Sequence, residues 1–200
     1  MFMKDIYDKI RNKAAENDGI IRTRDVEEMG INRGYLKDMV DSGSLVRESK
    51  GVYTVTSDTP DEYYLIQSRS DKLFFSYGTA LFLLGMSDRV PSIIDVTVPQ
   101  GYNVSRIKKT YPALRFHYVK PEVLLEGVKT VITPQGYQVK VYDEDRCLCD
   151  LIKDKKKVDK QLFTQAIKEY FAGSHSARKL LKMARLFGVE EDTRIYMEVL

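Results

Sequence analysis

The chain has 200 residues, 43% hydrophobic and 10% aromatic, enough to bury a core in one large domain or two small ones. Its formal charge of +3 comes from 32 Lys and Arg against 29 Asp and Glu, too even a balance to argue for nucleic acid on charge alone. With no apolar run of about 18 residues, and an N-terminus, MFMKDIYDKI, charged too early for a signal peptide, the sequence reads against membrane-spanning and secreted classes and predicts a cytoplasmic protein.

Met3, Ile6, Tyr7, Ile10 and Ala14 recur at helical spacing, which predicts a first helix ended by Asp18-Gly19. Ile20-Ile21 is a short strand candidate. Thr23 is placed to cap a second helix, with Asp25 and Glu27 near its positive end and Gly30 as its stop. Asn32 is placed to cap a third. From Arg33 to Asp41, Leu36, Met39 and Val40 share one face, while Arg33, Gly34, Lys37, Asp38 and Asp41 turn outward. Gly43 ends that helix, and Leu45-Val46-Arg47 and Val52 to Val55 form a hairpin through Ser49-Lys50-Gly51.

This order predicts a winged helix-turn-helix over residues 1–57, with double-stranded DNA as its expected partner. Arg33 and Lys37 lead the outward face at the helix start, where such helices enter the major groove. Arg24, Arg47 and Lys50 are candidates for phosphate or minor-groove contacts, and Tyr35 for a backbone contact or simple packing. Residues 1–57 carry ten basic and ten acidic side chains, so DNA binding rests here on geometry.

The cluster TSDTPDEYY marks a boundary, with Pro60 to Ser68 expected to open a second domain, 60–200, as a helix. In its mixed α/β part, 60–142, Leu73-Phe74-Phe75 is apolar, Thr79 to Leu84 reads as a buried helix stopped by Gly85, and Ile93 to Val98 as a strand. Ser105 to Thr110 is a short helix, Leu114 to Val119 a strand, Pro121 to Leu125 a helical turn, and Val128 to Ile132 with Tyr137 to Tyr142 a hairpin. Residues 143–200 read as a helical bundle, with Asp143 and Asp159 as N-caps and Gly173 and Gly188 as stops. The fold class is therefore α+β: a winged helix-turn-helix, a mixed α/β domain and a C-terminal helical bundle.

Chemistry-bearing motifs are sparse. Cys147 and Cys149 lie two apart on a predicted helix, where side chains diverge, and read as reduced structural residues. His117 and His175 have no second ligand or nucleophile nearby in sequence, so no metal is expected. Asp143, Glu144 and Asp145 are explained as helix-start residues, and Asp95 lacks the acidic-x-Lys partner of a restriction-like nuclease, since Gln138-Val139-Lys140 has no acid. No enzymatic activity and no cofactor are expected. The basic excess lies at the back, with twelve Lys and Arg against eight Asp and Glu from Arg146 to Leu200. Arg178, Lys179, Lys182 and Arg185 share one helical arc, and Lys153, Lys155, Lys156, Lys157 and Lys160 precede them in a connection. Together these are placed to meet nucleic acid, nucleotide or an acidic partner, or else are solvated faces.

The run from Ser76 through Asn103, the segment DEDRCLCDLI from Asp143 to Ile152, and the ending VEEDTRIYMEVL together resemble the AbiEi family of abortive-infection antitoxins. The resemblance implies a phage-defence antitoxin of a type IV toxin-antitoxin system. Its front domain would repress its own operon at inverted repeats, as a monomer in solution or pairing on DNA. Its rear domain would counteract a nucleotidyltransferase toxin without a stable complex, and the two basic faces are the candidate antitoxin surface. Where family members often read His-Gly, this chain has Leu84-Gly85, which favours packing at that position. The alternative is a plain winged-helix repressor whose C-terminal domain binds a ligand or partner.

Overall fold

The computed structural model describes residues 2–55 and 61–199, and the chain divides into two compact units, Met1–Ser68 and Arg69–Leu200. The first unit runs α1 (Phe2–Glu16), β1 (Ile20–Arg22), α2 (Thr23–Glu28), α3 (Gly34–Asp41), β2 (Val46–Ser49), β3 (Val52–Thr54) and α4 (Glu62–Gln67). Its strands form one antiparallel sheet in the order β1-β3-β2, with Tyr53 of β3 opposite both Ile21 and Arg47. Ile10 and Ala14 from α1, Val26 from α2, and Leu36 and Met39 from α3 close over Ile21 and Leu45 as a single core. The i, i+3 spacing of Leu36 and Met39 thus fixes which side of α3 faces inward.

Two expectations are corrected in detail. Thr23 is the first residue of α2 and not its cap: the cap is Arg22, still extended at the end of β1, and its N–H donates to the Asp25 carboxylate at 2.9 Å. Thr23 donates its own N–H to the Gly51 carbonyl at 3.0 Å, which ties the start of α2 to the hairpin. The helix expected from Pro60 begins at Glu62, because Asp61 accepts from the N–H groups of Tyr63 and Tyr64. Pro60 and the expected boundary at Thr59-Pro60 lie outside the described residues, as does the Met3 side chain. The helix α4 groups with the first unit.

The second unit runs β4 (Phe74–Phe75), α5 (Tyr77–Leu83), β5 (Ile94–Pro99), α6 (Ser105–Thr110), β6 (Leu114–Val119), a 3-10 turn (Pro121–Val123), β7 (Val128–Ile132), β8 (Gln138–Tyr142), α7 (Glu144–Lys153), α8 (Lys160–Ala172), α9 (Ala177–Phe187) and α10 (Glu190–Val199). The sheet is mixed, in the order β6-β5-β4-β8-β7, with β5 and β6 parallel and β4 parallel to β8. All six residues of β5 are buried, as expected of a strand covered on both faces. Asp143 caps α7 by accepting from Arg146 N–H, and Asp159 caps α8 by accepting from Leu162 N–H. The four last helices pack around Leu148, Ile152, Ile167, Tyr170, Leu180 and Phe187.

Cys147 and Cys149 are free and buried on α7. Burial, and then the nearby Asp150 carboxylate, push the Cys149 thiol up to about 12 and Cys147 well above its ordinary value near 9. The folded chain therefore holds protons that an unfolded chain releases, so this stability is complete below pH 9 and is lost as pH rises from there toward 12. Urea midpoints are expected to fall steadily across that window. A flat profile between pH 9 and pH 11 would show that the thiols exert no such pull.

Candidate functional site

In the first unit, α3 divides along its length. Leu36 and Met39 are buried, whereas Arg33, Lys37, Asp38 and Asp41 are exposed on the other side. Its start is shaped by Asn32, whose side-chain oxygen accepts the Gly34 N–H at 2.8 Å. Arg33 and Lys37 thus stand in the first half of the exposed face. Arg47 on β2 and Lys50 at the hairpin tip are also exposed. Arg24, on α2, is half-buried with its guanidinium 3.8 Å from Asp25. Tyr35 is half-buried and packs edge-on against Tyr7, with ring centroids 6.1 Å apart, which assigns it a packing contact.

In the second unit the basic side chains separate into matched and unmatched groups. Lys155 reaches Asp192 at 2.8 Å, Lys157 reaches Asp154 at 2.9 Å, and Arg185 reaches Glu190 at 2.7 Å. Glu190 is held by Arg185 and also by Arg194, and these two guanidinium groups bring its carboxyl down to about 2. Arg178, Lys179 and Lys182 remain on the exposed arc of α9, opposite buried Leu180, Ala184 and Phe187. Lys153, Lys156 and Lys160 are exposed as well, and Lys160 sits at the start of α8 beside Gln161 and Arg89.

A third grouping escaped the sequence. The parallel register sets Asp95 opposite Arg115 and Thr97 opposite His117, so alternate residues of β6 meet one face of β5. Asp95, only 2% exposed, accepts from Arg115 through both oxygens, at 2.5 and 2.8 Å, and lies 2.7 Å from His117 Nε2. Asp95 is thereby a fully engaged ion-pair acceptor. Among the described residues no group of three or more His, Cys, Asp or Glu is arranged to hold a metal ion. The His117 ring stacks on Tyr77 at 3.9 Å, and the Tyr77 hydroxyl donates to Asp154 at 2.6 Å. Burial most of all, then the Asp150 charge, raises the Tyr77 phenol far above its ordinary value, so it stays a donor. No helix among the described residues is long and apolar enough to cross a membrane.

No curated protein matches the chain. Its fold is similar to the crystal structure of the RV2827C protein from Mycobacterium tuberculosis, with a TM-score of 0.51 over 97% of this chain and 81% of that one, at 11% sequence identity. That likeness is one of fold, spanning both units. All six candidate DNA-contacting residues fall inside the stretch that a family model covers. Residues 8–56 match the family described as transcriptional regulator, AbiEi antitoxin.

Proposed function

We propose that this protein is a DNA-binding antitoxin of a type IV toxin-antitoxin system, which represses its own operon at inverted repeats and counteracts a nucleotidyltransferase toxin without a stable complex. The observation that carries the reading is the exposed face of α3, opened by Arg33 and Lys37, inside a segment matched to the AbiEi antitoxin regulators. A helix of this kind, followed by a basic hairpin tip, suits insertion into a major groove with the hairpin on the flanking backbone. The near balance of charge in residues 1–57 keeps non-specific affinity low, so useful occupancy calls for two copies on paired half-sites. The antitoxin role falls to the second unit, with its own sheet and helical core.

The test is colony survival with the cognate toxin induced. A fragment from Arg69 to Leu200 should protect cells while failing to repress. In the full chain, Arg178→Glu, Lys179→Glu and Lys182→Glu together should cut survival at least about tenfold, by reversing the unmatched arc of α9. Arg185 is left alone, because it holds Glu190 at the start of α10. Full protection by the folded triple variant would reduce that arc to a solvated face. A folded fragment that fails to protect would move the antitoxin role out of the second unit.

A further inference from the structure

The second unit contains a cavity of about 530 Å³ that neither DNA recognition nor the α9 arc uses. That volume lies within the range of small-molecule and cofactor sites, about 300–1,000 Å³. Tyr77 and His117 form a stacked pair along it, fixed at its two ends by Asp154 and Asp95. Tyr77 holds this place at a φ of +46°, a left-handed conformation that a bulky residue adopts only where its surroundings impose it.

Charge in the cavity is uneven. Asp150 is paired with Arg146 and Asp154 with Lys157, which leaves Lys120 and Lys153 as two unmatched cations among the described residues that line it. Beside them stands Leu186, 49% exposed, with Phe187 and Val123 behind, while Tyr118, next to His117 on β6, carries its ring to the opposite face of the strand. The site thus offers a dianionic group two lysines, and offers a flat apolar group the Leu186 and Phe187 side chains. An inorganic anion would leave the apolar wall wet, and a neutral apolar ligand would leave the two exposed lysines to solvent.

We infer that this cavity binds a nucleotide, with its phosphates at Lys120 and Lys153 and its base against Leu186 and Phe187. The lysines supply point charges for phosphate, and an apolar wall accepts any base, so selectivity among bases falls to Gln100. This goes beyond the proposed function and stands on the second unit alone, whether or not the first unit binds DNA.

Calorimetric titration of the full chain tests it, with ATP, GTP, CTP and UTP in turn, and with adenosine and tripolyphosphate as the separate halves. At least one nucleotide should bind about tenfold or more tighter than either half. Lys120→Glu with Lys153→Glu should weaken that binding by about a hundredfold, and Leu186→Ala by about fivefold. Lys109→Glu, a charge reversal on α6 away from the cavity, should change nothing. Lys120→Gln with Lys153→Gln provides a milder loss of the same sign should the double reversal unfold. Tripolyphosphate binding as tightly as every nucleotide would overturn the assignment, as would no binding at millimolar nucleotide. A single-stranded oligonucleotide that binds where every mononucleotide fails would also overturn it.

Discussion

Alanine at both Arg33 and Lys37 should abolish sequence-specific binding to the inverted repeat while leaving the melting curve where it was. Both side chains are exposed, and α3 is held by Leu36 and Met39 on its other side, so nothing in the core changes. A good bidentate contact to a base edge discriminates by about 1–3 kcal/mol, and two of them lost together amount to roughly 1.5 to 4 decades of affinity. Arg47→Ala or Lys50→Ala should behave differently. As phosphate contacts they should weaken binding to all sequences alike and reduce the salt slope by about one unit each. A gel-shift titration across salt concentrations separates the two outcomes. Equal loss on specific and random DNA for the double Ala variant would place α3 on the backbone and move the base reading elsewhere. Asp38 and Asp41 repel phosphate from the far half of the same face, which is why the contact is expected at its start.

What could be read from the sequence followed the range of the interactions. Asp143 and Asp159 were legible as caps because a carboxylate one turn ahead of its N–H partner is a local event. The same logic misplaced the cap at Thr23, since its N–H is drawn to Gly51 across 28 residues of chain. The hairpin, the helix from Ser105 to Thr110 and the strand from Leu114 to Val119 carried their own periodicity. Asp95 and His117 did not announce each other, because they are joined only by the parallel register of β5 and β6, 22 residues apart. The basic segments were visible as composition, but Lys155 finds Asp192 37 residues later, and only the fold shows which charges are already matched. Asp95 offered one usable hint: a carboxylate inside an otherwise apolar strand must have a partner when buried.

Arg146→Ala should be the most damaging single change in the second unit. Its side chain is wholly buried, with Nε donating to Asp150 at 2.9 Å and Nη1 to the Val123 and Glu126 carbonyls at 3.0 and 3.1 Å. The guanidinium lies 4.2 Å from the Tyr142 ring centre and 3.8 Å from that of Phe187. Gly127 lets the chain come this close, since a Cβ there would stand 2.7 Å from Arg146 Cβ, at a φ of +75° that already favours glycine. Removing the guanidinium leaves the buried Asp150 carboxylate and the Glu126 carbonyl without their donor, and the Val123 carbonyl with only the Glu126 N–H at 3.3 Å, at a cost of about 3–5 kcal/mol. Arg146→Met with Asp150→Leu should lose less, because the uncompensated charge is gone and only the Glu126 carbonyl is left unsatisfied. The pH dependence has a definite sign. Burial raises the Asp150 carboxyl and Arg146 pulls it back, so without Arg146 the group rises further and the folded state takes up a proton more readily than the unfolded one. The single variant should therefore recover part of its deficit as pH falls from 8 to 5. Both cysteines lie in the second unit beside Arg146, so the urea midpoint of their labelling by a pyridyl disulfide, which reacts with thiols at acid as well as neutral pH, reports on that unit alone. A single variant no weaker than the double, or one whose deficit is the same at both pH values, would show that the Arg146–Asp150 pair is not what holds α7 in place.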